Sequence, residues 1–165
     1  MHAPRLLGLS LALFTATSVH AANPLTDGAL AVPANRIAGL YTTLADIGPC
    51  GSDVVFFQVR NTLQFSAGGS VIEAPRSPPG GLPGFSQRGY ALGTWKFNPL
   101  NGRYTMRLRF EWFLDGAYDG YQTVERQILL SSDGKVAAGP VTTTLYAADG
   151  SVAAVLCGHA VSTRV

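Results

Sequence analysis

Over residues 93–130 apolar and polar side chains exchange places with a period of two. Tyr104, Met106, Leu108, Phe110, Trp112 and Leu114 alternate with Thr105, Arg107, Arg109 and Glu111. A period of two assigns the two sets to opposite faces of a β-strand, one apolar and one wet. Turn residues bracket the run, with Asn98-Pro99-Leu100-Asn101-Gly102 before it and Asp115-Gly116 and Asp119-Gly120 after it. A second β-type run, 121–130, follows at once, so the segment predicts three consecutive strands in a meander.

The same reading extends in both directions. Residues 23–35 form an irregular leader, and 37–44 predict a first strand or a short helical lead-in to one. A turn at Gly48-Pro49-Cys50-Gly51 precedes a strand over 54–60, with large apolar residues at Val55, Phe57 and Val59. Residues 61–65 and 70–74 predict a hairpin about Ala67-Gly68-Gly69. Residues 75–87, PRSPPGGLPGFSQ, carry too many prolines and glycines for regular structure. That segment is either an exposed linker or a lid, with Leu82 and Phe85 folded over an opening. Strands over 90–97, 103–114, 121–130, 136–146 and 151–164 then follow, joined by short turns. Strands joined so tightly are sequential antiparallel neighbours. The expected fold is all-β, an antiparallel up-and-down barrel of about eight strands, because no amphipathic helix is on hand to cover an open sheet.

Composition narrows the class. The chain has 165 residues, 47 % apolar and 13 % charged, enough for one core of its own. The 19 Gly and 10 Pro punctuate short strands rather than form a repeat. A net charge of +2 gives no case for a nucleic-acid partner.

Residues 1–22 read as an export signal. Arg5 supplies the basic start, residues 6–14 are apolar but too short to span a bilayer, and Val19-His20-Ala21 places small residues where a signal peptidase reads. The alternative is a buried N-terminal helix. The expected domains are therefore a signal peptide, 1–22, and one barrel, 23–165, with a periplasmic or secreted location and no stable membrane insertion. Cys50 and Cys157 survive such a cleavage, and an oxidising compartment predicts a disulfide between them, against the alternative of two buried thiols. His159 is the only histidine left after cleavage, so neither a metal site nor a cofactor is expected.

The block from Arg88 to Arg164 resembles a group of small exported bacterial proteins with a calycin-like barrel, relatives of lipocalins and allene-oxide-cyclase-like barrels. Gly93-Thr94-Trp95, the alternating run from Tyr104 to Phe110, the LLSSDG segment of 129–134, Ala148-Asp149-Gly150 and a closing Arg164 carry the resemblance. It implies a fold and no chemistry. In lipocalins a Gly-x-Trp opens the first strand, and an arginine of the last strand packs on the tryptophan. Here the early counterpart is Gly39-Leu40-Tyr41, and Arg164 is placed to stack on an aromatic residue near the barrel base.

Three function classes remain: a carrier of a small apolar or amphipathic molecule, an isomerase- or cyclase-like barrel enzyme, and a structural or interaction module with a filled core. An outer-membrane barrel is a fourth and would need Arg107, Arg109 and Glu111 in the lumen. No nucleophile has a base near it, and Asp115, Asp119, Asp133 and Asp149 sit in Asp-Gly turns, so no catalytic residue is assigned. The candidate ligand-binding residues are Arg126, Tyr104, Met106, Leu108, Phe110, Trp112 and Trp95. Arg126 shares its face with Val124, Ile128 and Leu130, which aims a cation into an apolar lumen. There it needs an anion, either Glu73 or Glu111 or the acid group of a ligand such as a fatty acid. With Leu114 opposite Gln122, Phe110 would lie opposite Arg126. A one-residue slip would turn Glu125 inward instead, and a position at the rim would let Arg126 reach water.

Overall fold

A computed structural model describes residues 33–76 and 87–165. The proposed signal segment and the lid residues Leu82 and Phe85 lie outside the described residues. A short 3-10 turn, Pro33–Ile37, leads into nine strands: β1 Gly39–Pro49, β2 Phe57–Phe65, β3 Ser70–Pro75, β4 Gln87–Arg88, β5 Ala91–Asn98, β6 Arg103–Leu114, β7 Ala117–Leu130, β8 Val136–Tyr146 and β9 Val152–Arg164. Each long strand pairs antiparallel with its neighbours in sequence, and β1 pairs with β9. The two-residue β4 continues β5 along the same side of β6. Eight strands thus close an antiparallel up-and-down barrel, as the alternation and short turns predict.

Closure follows from the inner faces. Tyr41, Leu63, Phe65, Val71, Trp95, Tyr104, Met106 and Ile128 are buried together in one core. The 3-10 turn caps this end of the barrel, with Ile37 fully buried and the Tyr104 hydroxyl donating to Pro33 O at 2.7 Å. Arg164 secures the β1–β9 seam there. Its guanidinium lies 4.9 Å from the centre of the Tyr41 ring and donates to Gly134 O, Ala38 O, Arg36 O and the Tyr41 hydroxyl. Gly39 makes room for this contact, because a Cβ there would come within 2.3 Å of Arg164 Nη1. At the other end Cys50 and Cys157 form a disulfide, S–S 2.09 Å, beside the Gly48–Cys157 pair of the same seam.

Four expectations need correction. Residues 54–56 lie outside any strand, and 57–65 form one continuous strand rather than two pieces. The Ser66–Gly69 turn is the first point at which the chain reverses here, so nothing breaks the ladder at Asn61. Pro75 is the last residue of β3 and Gln87 the first of β4, so both end residues of the 75–87 segment belong to strands, and 77–86 lie outside the described residues. Asp119 and Gly120 lie within β7, and only Asp115-Gly116 makes the hairpin turn, with positive φ at both residues as a tight two-residue turn requires. The β6–β7 register consequently differs from the expected one: Leu114 faces Ala117, and Arg126 faces Met106 rather than Phe110.

Candidate functional site

Above the packed base the barrel is not filled. A cavity of about 300 Å³ lies among inward residues of the strands, with Ala45, Ile47, Phe57, Val59, Leu63, Met106, Leu108, Phe110, Trp112, Val124, Val141 and Leu145 as its apolar wall. Four of the candidate residues on β6, Met106, Leu108, Phe110 and Trp112, line it, and so does Arg126. Tyr104 and Trp95 do not. Their rings meet edge-on at 5.8 Å in the packed base, and Trp95 Nε1 donates to Ser66 O. Trp112 stands toward the end opposite the packed base, its ring 5.4 Å from Phe110 and its Nε1 donating to Gln122 Oε1 at 3.2 Å. Gln122 in turn donates to the Thr143 hydroxyl, which donates to Thr123 O.

Arg126 is 2 % exposed. Its Nη1 donates to Ser162 Oγ at 2.8 Å, and its Nη2 donates to Ala137 O and Ala160 O at 2.7 and 2.8 Å. Thr43 Oγ1 and Ser162 Oγ share a further hydrogen bond at 2.7 Å. Among the described residues all these partners are neutral oxygens, and Nε is buried with no acceptor. Burial without a counter-charge lowers its pKa to about 10, which still leaves a cation at neutral pH. Glu125 faces outward instead, in an exposed ion pair with Arg107.

The carboxylates considered as partners for Arg126 are engaged elsewhere. Glu111 is on the outer face against Arg109. Glu73 does point into the lumen and is 1 % exposed, but Arg88 Nη2 donates to its Oε2 at 2.7 Å and Asn61 Nδ2 donates to its Oε1. Arg88 also lies 3.6 Å from the centre of the Phe110 ring, a cation–π contact inside the barrel. Among the described residues, the cavity wall therefore holds two guanidinium groups and one carboxylate, a net charge of +1. Among the described residues Asn61 Oδ1 and Arg88 Nε are, like Arg126 Nε, buried without a partner. Each group left in that state costs about 1–3 kcal/mol.

Alternation brings Glu73 inward with Val71, and a single strand over 57–65 brings Asn61 inward with Phe57, Val59 and Leu63. Treating 61 as the start of a new strand hides Asn61. Arg88 has no such signal, because it precedes an irregularity at Gly89 and Tyr90. No protein-family model, curated protein or solved structure matches this chain.

Proposed function

We propose that the chain is an exported, calycin-like barrel that carries a small amphipathic anion in its lumen, with Arg126 as the anchor. The observation that carries this reading is Arg126 itself: a buried guanidinium on the wall of an apolar cavity, with no carboxylate beside it and its Nε unpartnered. A ligand carboxylate would supply the missing acceptor and the missing charge at one atom. Such a charge-assisted hydrogen bond is shorter and stronger than a neutral one. The volume sets the size. At about 30 Å³ per water, 300 Å³ corresponds to about ten waters, hence to a ligand of about ten non-hydrogen atoms. Medium-chain and aryl-alkanoic acids fit this better than long-chain fatty acids.

Export rests on the leader of residues 1–22 and on the Cys50–Cys157 bridge. Charged residues on the outer face, Arg107, Arg109, Glu111 and Glu125, suit a barrel in water rather than in lipid. The open lumen favours a carrier over a module with a filled core. Glu73, the one carboxylate of the cavity wall among the described residues, is ion-paired with Arg88 and held by Asn61, which suits a structural role better than that of an isomerase's base.

The test is titration of the purified protein with decanoate and methyl decanoate, followed by tryptophan fluorescence. Trp112 lines the cavity and Trp95 does not, so a change reports on occupancy. The acid should bind at least about tenfold more tightly than the ester, and Arg126→Leu should abolish that preference. Failure of both to bind, or an acid preference that survives the substitution, overturns the reading.

A further inference from the structure

The outer surface of the barrel is divided by charge. On β5, β6 and β7 the outward positions carry Lys96, Arg103, Arg107, Arg109, Glu111 and Glu125. The outward positions of β8, β9 and β1, three consecutive strands of the same barrel, carry one carboxylate, Asp46, and one histidine, His159. Leu40, Leu44, Val136, Val155 and Val161 stand there instead, with threonines and Pro140 between them.

Register makes these residues one surface. Leu44 faces Val161, and Val161 faces Ala138. One row nearer the packed base, Thr42 faces Thr163, which faces Val136. Leu129 on β7 continues the first row beside Ala138. Leu40, Leu129, Val136, Val155 and Val161 are each between 38 and 49 % exposed. Valine and threonine suit a strand on either face. Leucine at 40, 44 and 129 has no such reason to face water, and the core of the barrel gains nothing from it.

The pattern points to what covers this face. A two-fold contact lays a patch against a copy of itself, so a patch of one sign repels its mate. The β5–β7 side, with four cations against two carboxylates, would meet that repulsion; the β8–β9–β1 side would not. Its outward positions hold no lysine or arginine for an anionic lipid surface, and no tryptophan or phenylalanine to enter a bilayer. The size fits as well. β1, β8 and β9 are 11, 11 and 13 residues long. At roughly 3.3 Å per residue and 4.8 Å between strands they present about 500 Å² in projection. Side-chain relief and the neighbouring Leu129 bring this toward the roughly 800 Å² per partner of a standard interface.

We infer that the outer face of β8, β9 and β1 is the contact between two copies of this chain in a two-fold dimer. The contact lies on the side of the barrel and leaves both ends uncovered, so it is independent of what the lumen holds.

Sedimentation velocity tests this. At about 100 µM, well above the dissociation constant expected of an apolar interface this size, the protein should run as a dimer. It should remain one in 0.5 M NaCl, because the contact is not ionic. Val161→Glu sets a carboxylate on each copy of the face and should weaken dimerisation at least about tenfold. Leu92→Glu on β5, at a residue 63 % exposed, should leave the dimer intact. Circular dichroism confirms that each variant is folded, and Thr163→Glu, an exposed polar position in the same face, replaces Val161→Glu if that variant is not. A monomer at this concentration, a dimer that salt dissolves, a dimer indifferent to the substitution at 161 or 163, or one weakened equally by Leu92→Glu would each overturn the inference.

Discussion

Arg126 and Glu73 are both buried charges in one lumen, yet removing them should have opposite effects on stability. Arg126 has no counter-charge, and its desolvation is offset only by a hydroxyl and two backbone carbonyls. Arg126→Met replaces it by an apolar side chain of similar reach, and stability should hold or rise by about 1–2 kcal/mol. Glu73→Leu leaves Arg88 as a buried, unpaired cation, and stability should fall by about 3–5 kcal/mol. Urea unfolding of the two variants against the parent protein checks the order, and a larger loss for Arg126→Met contradicts the charge assignment. A stability gain on removing Arg126 would mark it as a residue kept for what it binds.

At the scale of the element, two irregularities decide which charges face the lumen. In β7 the pairs Leu114–Ala117 and Phe113–Tyr118 give way to Trp112–Gly120, so Asp119 is an extra residue opposite β6. An uninterrupted ladder from the Asp115-Gly116 turn would place Arg126 opposite Thr105, on the outer face; the bulge moves it opposite Met106 and inward. The junction of β4 and β5 does the same for Arg88. Its partner is Trp112, while Leu92 pairs with Arg109, which leaves one extra residue among Gly89, Tyr90 and Ala91. Gly120 makes the first bulge possible: its φ is 128°, and a Cβ there would meet Tyr146 O at 2.1 Å. Gly120→Ala should therefore cost about 2 kcal/mol or more. Thermal unfolding measures it, and a loss under about 0.5 kcal/mol would mean that the bulge is not held this way. These bulges also set what the sequence reveals. The alternation of Val124, Arg126, Ile128 and Leu130 shows that Arg126 shares the apolar face, because alternation holds within one unbroken run. The partner of Arg126 is not legible, because the extra residue at 119 looks like part of a turn. Arg88 is hidden for the same reason: its face is set by a bulge after it, not by its neighbours in sequence.

For the whole molecule, the β1–β9 seam is where a meander must be fastened, since nothing in the local turns holds the first strand to the last. Arg164 fastens it at the packed base and Cys50–Cys157 at the opposite end. The bridge spans 107 residues, and in the chain-entropy description a loop of that length contributes about 3–5 kcal/mol. Reduction should lower the unfolding midpoint accordingly, with the barrel still closed at its base under mild conditions. A midpoint unmoved by reductant contradicts that role. The barrel itself is legible from sequence because strand number, turn length and alternation all act locally and agree. The open lumen is not, because whether inward side chains fill a barrel depends on their depth along its axis. Large inward residues cluster at the base, Tyr41, Phe65, Trp95 and Tyr104, and leave space between Met106 and Trp112.

The central claim is that a ligand carboxylate meets Arg126 inside that space, and the Nε–H of Arg126 reports on it directly. In a proton–nitrogen correlation spectrum of the arginine Nε region, the Arg126 signal is identified by its loss in Arg126→Leu. It should shift downfield on adding decanoate, as a buried donor acquires an anionic acceptor, and stay in place on adding methyl decanoate. Decanoate binding that leaves this signal unmoved, or an equal shift with the ester, would contradict the account.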